Sequence, residues 1–316
     1  MKKIIQVTTY PFAQYNDGPK KLLESTGCEV RYNPYDRRLS DDDVKNLSRD
    51  CHFLVAGTEL YDREVIESCN NLEAICRVGI GLDSVDLEAC KDNNVIVTYT
   101  PEAPSDSVAE LVLAQIINLL RQIHKSNADV QKGRWIRQMG FLVSELKIGI
   151  LGVGRIGGRV AKLLQPFSPQ LYACDLEPNL DLGEKCEIQW VSIDELFRIC
   201  NLVTVHVPLN ESNYHLVNKE KLNLMQKESY LINTSRGKVC DERDIINALD
   251  NNILMSVALD VYETEPYSGP LIGRDDVILT AHMASSSRQG RFLMEIGAAE
   301  DCVRIITGKK PYNRVC

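Results

Sequence analysis

Little in this sequence points to a metal, a membrane or a nucleic acid. It holds 11 cysteines in 316 residues, yet no two are spaced C-x-x-C. His124 and His215 have no cysteine at ligand spacing, so a structural zinc site is not expected, and no metal is assigned. Cysteines scattered at irregular intervals fit a reducing compartment better than a disulfide framework. Surplus positive charge is missing too: the formal net charge is -8. Nucleic-acid binding needs a basic face to displace counterions from phosphates, so that partner is disfavoured, although a local basic pocket for a small anion stays open. Long apolar runs are absent. The most apolar stretch, residues 111–120, is interrupted by Gln115 and Asn118, well short of the roughly 20 apolar residues that span a bilayer. Lys2 and Lys3 are followed by no apolar h-region, so the start reads as a strand and not as a signal peptide. There is no internal repeat or low-complexity segment. A cytoplasmic soluble protein is expected.

What is present is ordinary in bulk and organised in detail. With 44% hydrophobic and 25% charged residues the chain has a globular composition, and its length suggests two domains. Over the first hundred residues short apolar runs (4–8, 53–56, 74–78, 95–98) alternate with helical stretches (19–25, 41–48, 62–68). Such alternation predicts a parallel sheet covered on both faces. Pro101 and Pro104 forbid a helix between them and mark a domain connection. One long helix is predicted over 107–125, with more apolar positions than a single stripe needs, which suits burial on two sides at a subunit contact. From Lys147 the alternation resumes. Strands are predicted at 147–151, 171–174, 202–206, 230–233, 255–260 and 277–279, and helices at 157–164 and 290–306.

Between the strand at 147–151 and its helix lies Gly152-Val153-Gly154-Arg155-Ile156-Gly157. G-x-G-x-x-G is common by chance, but strand before and helix after is the context a dinucleotide loop requires. Gly152 permits the tight turn, Gly154 lets backbone approach a pyrophosphate, and Gly157 allows close helix packing. Free N–H groups at the helix start favour the anion, and Arg155 adds a cation. Asp175 ends the next strand, where a carboxylate accepts bonds from ribose hydroxyls and repels the 2′-phosphate of NADP. NAD is therefore the expected cofactor.

Three later segments each put a titratable or charged residue just past an apolar strand: Asn233-Thr234-Ser235-Arg236-Gly237, Asp260-Val261-Tyr262-Glu263-Thr264-Glu265-Pro266 and Thr280-Ala281-His282-Met283-Ala284-Ser285. In open α/β sheets ligands bind at those ends. Reducing a 2-oxo acid needs a hydride and a proton. A histidine can supply the proton, a carboxylate can orient that histidine, and an arginine can grip the substrate carboxylate with two parallel bonds.

In this order the motifs resemble the D-isomer-specific 2-hydroxyacid dehydrogenase family, over nearly the whole chain. The similarity is strongest to the phosphoglycerate dehydrogenase branch, in its short form without a regulatory domain. Arg77-Val78-Gly79-Ile80-Gly81-Leu82-Asp83 and Ser107-Val108-Ala109-Glu110-Leu111 extend the resemblance upstream. It implies Arg236 on the substrate carboxylate, His282 as acid/base and Glu265 as its partner, Glu265 being preferred over Glu263 because it directly precedes Pro266. It implies cofactor contacts from Gly152, Gly154, Arg155, Ile156, Gly157, Asp175, His206, Val207, Pro208, Thr234, Ser235, Arg236, Asp260, His282, Ala284 and Ser285. Arg77, Gly79, Ile80 and Gly81, with Arg236 and His282, would face the substrate. The implied fold is two doubly wound parallel-sheet domains. A Rossmann-type NAD domain (101–286) is inserted into a discontinuous substrate-binding domain (1–100 and 287–316), with the active site in the cleft. A homodimer is implied, through an arm at about 104–146 from which Arg137 could reach a neighbour's site. The sequence departs from the branch at Ala56-Gly57-Thr58, where an arginine would help hold a substrate phosphate. The activity implied is NAD-dependent interconversion of a small D-2-hydroxy acid, 3-phosphoglycerate or a related acid, and its 2-oxo acid. The rival is an NAD(H)-sensing, corepressor-like binding protein of the same fold. NADH oxidation with a panel of 2-oxo acids separates the two.

Overall fold

The computed structural model describes residues 2–316. The chain divides into two compact units, Met1–Pro104 with Ser286–Cys316, and Ser105–Ser285. The sequence put the first crossing at residue 100. Backbone bonds from Tyr99 N–H to Asn313 O and from Thr100 N–H to Gly79 O keep that stretch with the first unit.

The first unit contains five strands: β1 (Ile4–Val7), β2 (Glu29–Arg31), β3 (Phe53–Ala56), β4 (Ala74–Arg77) and β5 (Ile96–Thr98). All pair in parallel, in the order β2-β1-β3-β4-β5. β3 and β4 are buried along their whole length. Alternate side chains serve opposite faces: Ile5, Val7, Phe53 and Val55 enter one apolar cluster, and Leu54, Ala56 and Ile75 the other. Helix starts follow side-chain caps that the sequence shows openly. Asp62 accepts the Val65 N–H, Asp86 the Ala89 N–H, and Ser40 and Asp43 form a reciprocal capping box.

The second unit adds β6 (Lys147–Leu151), β7 (Gln170–Cys174), β8 (Gln189–Trp190), β9 (Leu202–Val205), β10 (Ser229–Asn233), β11 (Leu254–Leu259) and β12 (Val277–Leu279). They form one parallel sheet ordered β12-β11-β10-β9-β6-β7-β8. Ile148, Ile150 and Ile232 pack to one face, and Val203, Val205 and Leu231 to the other.

The long helix predicted over 107–125 is two helices, Ser105–Arg121 and Ile123–Gln131. Gln122 breaks it by adopting a left-handed conformation, φ 48°. Asn118 Oδ1 accepts the His124 N–H that would otherwise continue the ladder, at 2.9 Å. The sequence reading also passed over β2, β8 and several short helices, among them Leu87–Asp92, Ile193–Ile199 and Glu242–Asp250. Caps such as Asp86, Ser192 and Asp241 marked these helices in the sequence. No helix among the described residues is long and apolar enough to cross a membrane.

Candidate active site

In the second sheet β6 lies between β7 and β9, so the strand order reverses beside it. Ligands of open α/β sheets bind at such a switch point. The glycine loop leaves β6 there. Gly152 has φ 89°, which any side chain would strain, and a Cβ on it would lie 3.0 Å from the His206 carbonyl carbon. A Cβ on Gly157 would overlap the Gly152 carbonyl oxygen. Gly154 is different: a Cβ there meets nothing, so open space stands over the start of helix Arg155–Leu164. Arg155, Arg159, Lys162 and Lys185, with Asp106 and Asp181, line a cavity of about 730 Å³ at this helix start, Arg159 being paired with Asp106. Backbone N–H groups, space and cations together suit a pyrophosphate.

Asp175, at the end of β7, is the residue expected to read the ribose. Asp175 Oδ2 accepts the Val153 N–H at 2.6 Å, and its Oδ1 accepts the Glu177 N–H at 2.9 Å. The carboxylate is thereby fixed against the glycine loop with a second lone pair left on each oxygen. The next residue, Leu176, is almost fully exposed. Asp175→Ala is expected to lower the ratio of kcat/KM for NAD over NADP by at least about tenfold, about 1.4 kcal/mol. Steady-state kinetics with both cofactors checks this, and an unchanged ratio would remove Asp175 as the ribose reader.

His206, Val207 and Pro208 follow β9, and Thr234 and Ser235 follow β10. His206 Nε2 is 2.9 Å from Thr204 Oγ1, and burial pushes its pKa down to about 3, so the ring is neutral. His206 Nδ1 and Thr234 Oγ1 are buried and have no hydrogen-bond partner among the described residues. Unpaired buried polar atoms on both strands beside the switch point fit a ligand rich in hydroxyl and amide groups.

The three catalytic candidates come from the same ends of β10, β11 and β12. Asn233 shapes the first turn. Its Oδ1 accepts the Ser235 N–H and hydroxyl, at 3.0 and 2.8 Å, while its Nδ2 donates to Arg236 O at 2.9 Å. Arg236 Nη1 in turn donates to Ser235 O. Glu265 Oε2 lies 2.8 Å from His282 Nδ1, and its Oε1 accepts the Tyr262 N–H at 3.1 Å. Burial pushes the Glu265 carboxyl up. The His282 hydrogen bond and charge, the Tyr262 N–H and the Arg236 charge outweigh that and hold it below its usual range. His282 therefore carries its Nε2 free of the pair, on a side chain 43% exposed. Its backbone is left-handed, φ 49°, held by N–H bonds to Asp260 O and Thr280 O. A non-glycine residue kept at positive φ is strained and persists where the surroundings enforce it.

Asp260 does much of that enforcing. It is buried, and it accepts the Thr280 hydroxyl at 2.6 Å, the Met283 N–H at 2.9 Å and the Ala284 N–H at 2.8 Å. The residue expected on the cofactor is thus also the anchor of the histidine loop. Tyr262 joins it by donating to Thr280 O and Leu259 O. Asn233, Thr280 and Gly237 escaped the sequence reading. A Cβ on Gly237 would overlap the Tyr262 carbonyl, so only glycine lets the Arg236 and Glu265 segments touch. The glycine of Asn-Thr-Ser-Arg-Gly was the available signal.

Glu263, the competing carboxylate, points elsewhere: it accepts the Glu242 N–H at 3.0 Å. In the first unit Arg77 is buried, its Nη1 donates to Val78 O, and a Cβ on Gly79 would lie 2.8 Å from it. Arg77 thus buttresses Gly79, which has φ 144° and donates to Thr100 Oγ1. Ile80 and Gly81 are half-buried beside it. Among the described residues no group of three potential metal ligands occurs.

The model of the D-isomer specific 2-hydroxyacid dehydrogenase NAD-binding domain matches residues 113–284. The chain belongs to that family. It is 34% identical to a glyoxylate reductase of Thermofilum pendens, over 85% of this chain and 82% of that protein. It is 31% identical to a D-3-phosphoglycerate dehydrogenase of Methanocaldococcus jannaschii, over 93% of this chain but only 56% of that protein. A crystal structure of a Thermus thermophilus protein superposes with a TM-score of 0.89 at 26% identity, covering 99% of this chain and 100% of that one. As a member of the D-2-hydroxyacid dehydrogenases the protein is an NAD-dependent oxidoreductase with a Rossmann-type cofactor fold. Its glycine cradle, Asp175 and the unpaired polar atoms of β9 and β10 fit that cofactor.

Proposed function

We propose that the protein interconverts a small, unphosphorylated D-2-hydroxy acid and its 2-oxo acid. The observation that supports this best is the 2.8 Å pair of His282 and Glu265, whose carboxylate also feels the Arg236 charge. NAD supplies or accepts the hydride at C2 of the substrate. Arg236 binds the substrate carboxylate through two parallel N–H bonds and fixes the face presented to the cofactor. His282 Nε2 donates a proton to the C2 oxygen in reduction and removes it in oxidation, Glu265 holding the ring from Nδ1.

The absence of a phosphate carrier supports the unphosphorylated substrate. Ala56 and Gly57 stand where the arginine that would help hold a substrate phosphate was expected. NADH oxidation with glyoxylate, hydroxypyruvate, pyruvate and 3-phosphohydroxypyruvate tests the reading. Turnover of the unphosphorylated acids is expected. Preference for the phosphorylated acid would overturn the substrate class. Tight NADH binding without turnover of any acid would instead support a sensor.

The enzyme is proposed to act as a homodimer. Residues 133–142 have no regular structure, and Trp135, Met139 and Leu142 are largely exposed. Asp129 shapes the segment by pairing with Arg134 and accepting from Gln138 Nε2 at 3.2 Å. Exposed aromatic and aliphatic side chains on a pinned arm suit burial against a second copy. Sedimentation is expected to show a dimer, and Trp135→Ser to weaken it.

A further inference from the structure

A second charged cluster lies beside the catalytic loops and takes no part in the chemistry proposed above. His215 is 23% exposed in its side chain and left-handed in backbone, φ 48°. Its N–H donates to Lys238 O at 2.9 Å, and Tyr214 stacks on its ring with centroids 4.1 Å apart. Nδ1 is 3.1 Å from Asp241 Oδ2, and Nε2 is 3.3 Å from Glu263 Oε1 without an aligned hydrogen bond. The ring therefore stands between two carboxylates from different segments.

Those segments are the ones that matter. Asp241 caps helix Glu242–Asp250 through the Arg243 and Asp244 N–H groups, just after the Arg236 turn. Glu263 lies two residues before Glu265. Glu242 and Glu263 also bond each other reciprocally: Glu263 Oε1 accepts the Glu242 N–H at 3.0 Å, and Glu242 Oε1 accepts the Glu263 N–H at 2.8 Å. Burial pushes the Glu242 carboxyl above its usual range, and the charges of Glu263 and Asp241 add to this. Asp241, Glu242 and Glu263 repel one another, and the His215 ring stands between Asp241 and Glu263. Removing one partner from such a network leaves the rest uncompensated.

We propose that His215 is a positioning residue, a clasp that ties the Glu263 segment to Asp241 and so sets Glu265 and Arg236 for catalysis. It touches neither substrate nor reacting atoms, and the inference rests on the catalytic roles proposed above. Gly237 passes its effect on, because the backbone beside Arg236 is packed directly on Tyr262 and Glu263. The loops of β10 and β11 then move as one body. Clasping them orients the carboxylate that orients His282.

The test combines amide hydrogen exchange with kinetics, on the full chain. His215→Gln keeps one donor but loses the ring that reaches both carboxylates, and His215→Arg restores donors toward both. His215→Gln is expected to speed exchange over 261–266 by about tenfold and to lower kcat by a similar factor, with Kd for NADH unchanged. His215→Arg is expected to recover most of both. Glu263→Gln should reproduce the loss, which keeps the test open if one His215 variant folds poorly. Unchanged exchange and kcat in His215→Gln would overturn the clasp. So would a uniform rise in exchange across the second unit, or an Arg variant no better than Gln. Failure of the wild type to turn over any 2-oxo acid would count against the proposed reaction, and the exchange measurement would still decide the clasp.

Discussion

Replacing His282 by alanine is expected to cost roughly 10²–10⁴-fold in kcat, the usual contribution of a positioned general acid, and to leave NADH binding within about twofold. The argument is geometric. His282 is held by Glu265 at Nδ1 and by a left-handed backbone anchored on Asp260, so Nε2 is the ring atom presented for proton transfer. Cofactor affinity is expected to come chiefly from the glycine loop and Asp175, which this change leaves alone. Stopped-flow reduction of a 2-oxo acid, with NADH fluorescence titration, separates the two effects. Equal loss of turnover and NADH binding would sink the assignment.

The same variant carries a pH signature. Glu265 is held below its usual range by His282, against a burial effect that pushes it up. A depressed carboxyl stabilises the fold above its unfolded value and loses that contribution as pH falls through its folded value. With His282 gone the largest lowering influence disappears, so the Glu265 carboxyl should titrate at higher pH than in wild type. Carbon NMR of the labelled carboxyl would follow the shift.

Arg236→Ala is expected to lower kcat/KM for the 2-oxo acid by about 30-fold to several thousand-fold, the ~2–5 kcal/mol lost when one side of a desolvated charge pair is truncated. Most of this should appear in KM if Arg236 binds substrate and transition state alike, and in kcat if its bonds tighten as charge develops on the C2 oxygen. Arg236→Lys keeps the charge and loses the fork, so it should fall between wild type and alanine. A lysine variant equal to wild type would show that charge alone is needed. An alanine variant with unchanged kcat/KM would place the substrate carboxylate elsewhere.

Residue order and local chemistry carried much of this site. Strand, glycine loop, helix and a following acid made a dinucleotide site legible, because each is a local pattern with a local cause. The choice of Glu265 over Glu263 was legible only through the family resemblance, in which the glutamate directly precedes the proline, and the structure supplies the physical reason. Glu263 is committed to the Glu242 N–H and faces His215, leaving Glu265 to meet His282. The broken helix at Gln122 was not legible, because the apolar period runs across a break that depends on one left-handed residue and on Asn118. Nor were Asn233, Thr280 and Gly237 readable as supports, since each acts through a contact with a segment distant in sequence.

The sequence by itself determined most of the longer strands and helices and the cofactor loop, and it offered the charged residues past β10, β11 and β12 as catalytic candidates. These follow from periodicity, capping and chemistry within short windows. Only tertiary structure decided which carboxylate meets the histidine, that Asp260 anchors the histidine loop, and that His215 sits between Asp241 and Glu263. Those outcomes depend on how parallel strands far apart in the chain bring their C-terminal ends together, and no local pattern encodes such distances.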